Sequence, residues 1–481
     1  MNFIDPEYLF FLFVVIIGLE IVHRRKYQHL ILLCASYFFY WYTSQALLLL
    51  LAIVTLITYY CGQEIYLSTD LKKRKILLFI AVSSTLAILG YFKYFNFTIV
   101  TINNILNISY PLSDILLPIG ISFYTFQALS YVFDIYRETL APSESLKEYA
   151  LFVSFFPQLV AGPIVRASEL LPQLKESISI THQNLQLGIT LILWGAFKKV
   201  VISDNLSPIV NATLSNPIGH NSIDIIGVTF LFGIQIYCDF SGYTDIAIGT
   251  ARIVGINLPI NFLRPYLSQN PTDFWRRWHI TLGRYIRDYL YIPLGGNRKG
   301  KFRTDINLLC TMLVCGLWHG AAWNYVIWGG FHGVLLLVDK SVHKISFKTA
   351  NVERARKLKN PKIIISILIT QYFVFLGWLL FRVGDPDNLI YCIKKYVLFD
   401  FDLTMSEIII VVSLISVICI IIMGSVNQKI SSFFDGVITK DWLELIGSCR
   451  FTCWVAYVGI IGVAFLALSP NQSTEFIYFQ F

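Results

Sequence analysis

Long apolar runs separated by short polar loops fill most of the chain. They lie at 8–22, 30–42, 46–60, 76–91, 115–133, 187–201, 225–237, 308–337, 363–380, 408–422 and 451–468. A perpendicular membrane helix needs about 20 apolar residues and several runs are shorter, so the pattern predicts about 10–13 membrane-embedded helices, some of them re-entrant. The expected fold class is an all-α polytopic integral membrane protein.

Basic clusters between the runs predict the orientation. Clusters follow the first run at His23–Lys26 and the third run at Lys72–Lys75, and two more lie at 298–303 and 340–362. Lysine and arginine concentrate in cytoplasmic loops, so we expect all four clusters to be cytoplasmic and the N-terminus to be extracytoplasmic. Residues 1–7 carry two acids and no basic residue, which argues against a cleavable signal peptide.

The segment Ile306–Val338 lies between two predicted cytoplasmic clusters, so it must enter the membrane and return. Its 33 residues allow about 25 Å per leg, slightly less than the roughly 30 Å hydrocarbon core. We expect the turn at Gly316–Gly320, which places His319 deep in the protein. An ionisable residue at that depth is a functional candidate by default. The alternative is a structural histidine that hydrogen-bonds two helices.

A second candidate region is Pro271–Pro293, where Trp275, Trp278 and His279 have the i, i+3, i+4 spacing of one helical face. Four arginines, at positions 276, 277, 284 and 287, make it strongly basic. The pattern predicts one amphipathic helix at the cytoplasmic interface. The arginines fit a membrane-surface anchor as well as an anion-binding role.

Composition supports the membrane class. Apolar residues make up 56% of the 481 residues, charged residues only 14%, and aromatics 15%. So few charges cannot cover a soluble surface. The nine cysteines form no CxxC pair and fit small buried hydrophobes. The net charge of +8 is explained by cytoplasmic loops, and we expect no nucleic-acid partner.

Other candidate chemistry is weaker. Asp239 and Ser241 could imitate part of a hydrolytic triad, but no G-x-S-x-G elbow surrounds the serine, so a polar turn or helix break is favoured. Residues 294–297 lack Walker spacing. His279, His319 and His332 lack the H-E-x-x-H spacing of a helical zinc site, and we expect no metal.

Three segments carry a resemblance to a known family: DFWRRWH at 273–279, RDYLYIPLGGNR at 287–298 and GLWHGA at 316–321. Together with SYFFY, GISFYTFQALSYVFDIYR, FPQLVAGPIVR, DFSG, NFLRPY and LGWLLFR, they resemble the membrane-bound O-acyltransferase (MBOAT) family, in its alginate O-acetyltransferase branch. The similar stretches cover residues 36–382 in family order.

The resemblance implies an MBOAT-type helical fold around a transmembrane tunnel. It matches the signature histidine to His319 and the second motif histidine to His279, as catalytic residues. It also implies a cytoplasmic thioester donor, acetyl-CoA in the alginate branch, and an extracytoplasmic acceptor. Candidate substrate-binding residues are Trp275, Arg276, Arg277, Trp278, Trp318 and Asn324. The domains expected are N-terminal helices at 1–110, a catalytic core at 111–382 and C-terminal helices at 383–481.

The predicted function is an O-acetyltransferase of the bacterial inner membrane. It would pass acetyl groups from acetyl-CoA across the lipid bilayer for O-acetylation of an exported, alginate-like polysaccharide, with a separate extracytoplasmic acetyltransferase as partner. In this hypothesis neutral His319 accepts the hydroxyl proton, His279 orients or polarises the thioester, and Arg276 and Arg277 lie near the anionic donor. The alternatives are D-alanyl or other acyl transfer, a polysaccharide transporter or flippase with His319 in a proton relay or gate, and a non-catalytic scaffold.

Overall fold

The computed structural model describes residues 1–160, 162–342, 361–399, 451–470, 474, 476 and 477. The apolar run at 408–422 and most of the basic cluster at 340–362 lie outside the described residues. Every regular element within the described ranges is a helix and none is a strand, which confirms the all-α class.

The α-helices run in chain order from α1 to α19. They are α1 Pro6–Ile21, α2 Arg25–Ser44, α3 Leu48–Leu67, α4 Leu71–Leu89, α5 Phe95–Leu106, α6 Ile121–Tyr136, α7 Leu146–Ser154, α8 Phe156–Leu159, α9 Ala167–Leu174, α10 His182–Ala196, α11 Asp204–Ser215, α12 Ser222–Ile253, α13 Pro271–Arg277, α14 Ile280–Ile286, α15 Lys301–His319, α16 Trp323–Val342, α17 Pro361–Arg382, α18 Pro386–Leu398 and α19 Phe451–Leu468. Short π-helical segments occur at Gly90–Tyr94, Phe197–Ser203 and Arg287–Tyr291, and 3₁₀ turns at Gln45–Leu47 and Pro265–Leu267.

Five continuous helical runs within the described ranges are long and apolar enough to cross a membrane, judged by length and composition. They are Leu48–Leu67, Leu71–Leu106, His182–Ser215, Ser222–Ile253 and Pro361–Arg382. The π-helical segments let two of them continue through pairs of α-helices, α4 with α5 and α10 with α11. The protein is therefore a multi-pass membrane protein. The larger number of embedded helices and the orientation stay predictions.

The chain divides into two compact units, and the predicted three-domain division stays a prediction. The first unit consists of residues 1–196 and 243–260. Within it α3 packs against α4 and α6. The Tyr8 hydroxyl lies 2.8 Å from Oγ1 of Thr250, which ties α1 to the end of α12.

The second unit consists of residues 197–242 and the described residues from 261 onward. Within it α16 packs against α15, α17 and α13. Its core is rich in large aromatic side chains, among them Phe274, Trp278, Trp328, Trp378 and Phe381, each at most 1% exposed. All the candidate catalytic and substrate-binding residues belong to this unit.

Asp239 and Ser241 lie inside the uninterrupted helix α12, so the predicted polar turn or helix break is wrong. Their side chains have partners on the π-helical segment before α11. Oδ1 of Asp239 is 2.8 Å from Nζ of Lys199, and Nζ of Lys198 donates to Oγ of Ser241 at 2.9 Å. Because buried polar groups in a helix are tolerated when they are paired, no break is needed.

Candidate functional site

The predicted hairpin is present, but the turn predicted at Gly316–Gly320 is wrong, because residues 316–319 form the last turn of α15. Helix α15 ends at His319, residues 320–322 form the turn, and α16 begins at Trp323. Two glycines allow the helices to touch: a Cβ on Gly316 would lie 2.1 Å from the Tyr325 carbonyl oxygen, and one on Gly329 would lie 2.3 Å from that of Met312. Such distances exclude any side chain, so the close crossing requires glycine. It lies one turn before His319.

The predicted continuous helix over 271–293 is wrong, because the structure breaks it at the second histidine. Helix α13 ends at Arg277, Trp278 is extended, and His279 has a left-handed φ of +43° before α14 begins. A non-glycine residue in this conformation is strained and is often found at a functional site. The break directs Trp278 and His279 into the interior, where both are 0% exposed. In a straight helix at the membrane surface, Trp278 and His279 would be partly exposed to solvent.

The two predicted catalytic histidines lie together inside the second unit. The ring centroids of His279 and His319 are 6.4 Å apart, and His319 is 3% exposed. The Trp318 ring lies 5.8 Å from His279 and 5.0 Å from His319. An imidazole from the break before α14 and one from the end of α15 thus share a dry aromatic environment, an arrangement suited to proton transfer or hydrogen bonding on one small bound group.

His279 has one hydrogen-bond partner among the described residues. Its Nδ1 is 3.1 Å from Oδ1 of Asn261, while its Nε2 is buried without a partner in the described part of the chain. The edge of its ring packs against Phe240 with centroids 4.8 Å apart. Burial lowers the pKa of His279 to about 3, so the ring is neutral at physiological pH.

The three candidate tryptophans all line or support this region. Trp318 touches both histidines as described. Trp278 packs between Phe262 and Trp378, with centroids 5.0 and 4.7 Å away, so it forms core rather than a membrane-surface anchor. Trp275 lies 5.7 Å from the Trp328 ring, next to the histidine region.

The remaining candidates have separate positions. Arg276 is exposed, whereas Arg277 donates from Nε to Oδ1 of Asp273 at 2.8 Å and is tied to its own helix. Asn324 is buried, and its Nδ2 donates to the Phe381 carbonyl at 3.0 Å. The Asn324 amide thus joins the start of α16 to the end of α17, which holds the Phe381 ring 5.7 Å from His319.

Sequence reasoning missed several residues that surround His319. The Trp328 ring is 5.0 Å from His319 and stacks on Trp378 at 6.2 Å. The indole N–H groups of both tryptophans are buried without an acceptor among the described residues. Buried donors are normally satisfied, so these suit a guest molecule that carries acceptor oxygens. Trp328 and His319 are nine residues apart and lie on two different helices, so helical periodicity could not predict that they are neighbours.

The same part of the chain offers no metal centre. Among the described residues, no group of three histidine, cysteine, aspartate or glutamate side chains is placed to hold a metal ion. His332, the third histidine considered for zinc, packs between aromatic rings, 4.9 Å from Trp328 and 6.0 Å from Phe274. It supports the core of the site.

Comparison with known proteins identifies the family of this chain. The sequence profile of the membrane-bound O-acyltransferase family matches residues 32–381. The chain is 39% identical over 391 residues to the probable alginate O-acetylase AlgI of Pseudomonas aeruginosa, covering 79% of this chain and 72% of that protein. It is 35% identical to the protein of the same name from Pseudomonas putida, over 100% of both chains. It is 31% identical to the peptidoglycan O-acetyltransferase of Helicobacter pylori, over 89% of this chain and 86% of that protein. The chain is an O-acyltransferase that belongs to the MBOAT family.

Proposed function

We propose that this enzyme transfers acetyl groups from cytoplasmic acetyl-CoA across the membrane, for O-acetylation of an exported, alginate-like polysaccharide. The observation that carries the proposal is the buried pair of His279 and His319, whose rings lie 6.4 Å apart among tryptophans. The relatives named for alginate O-acetylation match most or all of the chain. A relative named for peptidoglycan O-acetylation makes that polymer the second candidate acceptor.

In the proposed reaction His319 is the general base. The hydroxyl that takes the acetyl group from this enzyme attacks the thioester carbonyl as the His319 imidazole takes its proton, so a C–O bond forms. The C–S bond then breaks, and the proton passes from the imidazolium to the departing thiolate. A positioned base of this kind typically contributes about 10²–10⁴-fold to rate. The surrounding aromatic rings exclude water, which keeps the thioester from hydrolysis.

Residues of this chain suit both the acyl group and the phosphates of an acetyl-CoA donor. The buried indole N–H groups of Trp328 and Trp378 suit the carbonyl oxygen of an acyl group. Exposed cations lie just before and at the start of α15, at Arg298, Lys299 and Lys301, and suit the phosphates of a CoA molecule. We place the enzyme in the bacterial inner membrane with its N-terminus outside, and we assign the final transfer to a separate extracytoplasmic acetyltransferase.

The experiment measures the O-acetyl content of exported polysaccharide in cells that carry wild type or His319→Ala. Membrane levels of both proteins are quantified alongside. We expect His319→Ala to lose at least about 100-fold of transfer, on the scale of a lost general base, with polymer still exported. Purified membranes supplied with labelled acetyl-CoA report the donor directly.

Each other outcome contradicts part of the proposal. Unchanged acetylation in His319→Ala makes the residue structural and removes the proposed base. Loss of polymer export favours a transporter. Label that enters the polymer from a D-alanyl carrier thioester but not from acetyl-CoA identifies a D-alanyltransferase instead.

A further inference from the structure

Asn261 braces the strained break that carries His279. It belongs to the loop between α12 and α13, and its backbone carbonyl accepts from the Ile280 N–H at 2.9 Å. Two residues later, the Leu263 N–H donates to the Arg277 carbonyl at 2.9 Å. The break between α13 and α14 is therefore held from both sides by a segment that is distant in sequence. Asn261 itself is 1% exposed.

The side-chain amide of Asn261 has a fixed orientation. One of its two terminal atoms receives the Thr281 backbone N–H at 3.2 Å and the Thr281 hydroxyl at 2.8 Å. A peptide N–H can only donate, so the atom it faces must be the amide oxygen rather than the amide nitrogen. A flipped amide would set two donors against each other inside a buried site.

The same oxygen lies 3.1 Å from Nδ1 of His279. An amide oxygen only accepts, so this contact is a hydrogen bond only if Nδ1 carries the proton. A neutral imidazole has a single N–H, which leaves a lone pair on Nε2. That Nε2 is on the far side of the ring, buried and without a partner in the described part of the chain.

We infer that Asn261 is a positioning residue of the acyltransferase, which holds His279 in the Nδ1–H tautomer so that Nε2 meets the substrates as a hydrogen-bond acceptor. The inference rests on the proposed function only for the identity of the reaction. The tautomer follows from the hydrogen bonds alone. It replaces the hypothesis that His279 polarises the thioester carbonyl, because a carbonyl oxygen needs a donor and the inward nitrogen offers none. His279 instead orients an O–H or N–H group of a bound substrate beside His319.

The first test is spectroscopic and needs no activity. Protein labelled with ¹⁵N-histidine is purified in detergent, and the His279 signals are assigned by difference from His279→Gln. We expect a protonated Nδ1 and an unprotonated Nε2. In Asn261→Asp the carboxylate still accepts from Nδ1–H, so the tautomer is retained. In Asn261→Leu, which has a similar size but no acceptor, we expect the Nε2–H form to appear.

The second test is acetyl transfer in membranes containing equal amounts of each variant. We expect Asn261→Leu to lose at least about tenfold in kcat, and Asn261→Asp to stay within about tenfold of wild type. Thr229→Val is the matched control: it removes a buried hydroxyl that donates within α12, to the Ile225 carbonyl at 2.6 Å, so its kcat should stay near wild type.

Two results overturn the inference: a wild-type His279 that carries its proton on Nε2, or an Asn261→Leu protein with the native tautomer and full activity. If Asn261→Leu does not fold, the wild-type and Asn261→Asp spectra still decide. A wild type that transfers nothing from acetyl-CoA refutes the proposed function alone, since the tautomer is measured independently.

Discussion

A buried lysine between two aspartates offers a sharp test of how the second unit is held together. Lys199 is 0% exposed, and its ammonium lies 2.7 Å from Oδ1 of Asp204 and 2.8 Å from Oδ1 of Asp239. It also donates to the Thr474 carbonyl at 2.9 Å. The change to make is Lys199→Met, which keeps the length of the side chain and removes its charge.

The expected loss of stability follows from the two carboxylates that remain when the ammonium is removed. Without the ammonium, two buried carboxylates face each other, and breaking a buried pair in this way typically costs about 3–5 kcal/mol. Each carboxylate keeps one neutral donor, the Thr474 hydroxyl at 2.5 Å for Asp204 and the Ile477 N–H at 2.7 Å for Asp239. We therefore expect a loss near the lower limit, about 3 kcal/mol. At about 2 °C per kcal/mol this lowers Tm by about 6 °C.

The assay is tryptophan-fluorescence melting of purified protein in detergent at a fixed scan rate. The control is Lys175→Met, which removes an exposed partner of Glu144 and should leave Tm nearly unchanged. Adding Asp204→Asn and Asp239→Asn to Lys199→Met should restore part of the lost Tm, since no unpaired charge is then left. Equal melting of Lys199→Met and wild type would refute the reasoning.

Further predictions concern the histidine pair. Gly329→Ala should cost about 100-fold in acetyl transfer, because its Cβ meets the Met312 carbonyl and must displace the helix that ends at His319; Gly330→Ala, which meets only a Leu313 side-chain atom at 3.3 Å, should retain most activity in the same membranes. The pKa of His279, lowered to about 3, means that the unfolded chain binds a proton below about pH 6.5 while the folded one does not. Its contribution to stability is thus complete above pH 6.5 and is lost as pH falls toward 3, by up to about 1.4 kcal/mol per pH unit. Tm between pH 7.5 and 5 should therefore fall less steeply in His279→Gln than in wild type.

The hairpin of α15 and α16 was predictable from sequence because each of its signals is local. Basic clusters bound the segment, its length requires a turn near the middle, and the glycines at 316 and 320 flank the histidine. The resemblance then identified His319 among eight histidines. The position of the turn was predicted wrongly: the helix extends through His319, and the turn lies at 320–322 rather than at Gly316–Gly320.

The break at His279 was not predictable in the same way. The i, i+3, i+4 spacing of its neighbours fits an unbroken helix as well as a broken one. The hydrogen bonds that decide between them come from Asn261, 18 residues earlier. Likewise Asp239 looked like a break in a helix because its partner Lys199 is 40 positions away. Periodicity indicates which face of a helix is apolar. It carries no information on which distant polar group stabilises a polar residue that is buried on that face.

The choice of an amide as the partner of His279 has a chemical consequence. A carboxylate at position 261 would fix the same tautomer and would also stabilise the imidazolium, since an opposite charge favours the protonated form. The neutral oxygen of Asn261 fixes the tautomer without that second effect. In the proposed reaction His279 therefore stays a hydrogen-bond acceptor throughout, while the proton removed from the hydroxyl is left to His319 and the thiolate. The strained φ at His279 and the glycine crossing behind His319 serve the same end, because each places an imidazole that has little freedom to move once the helices have packed.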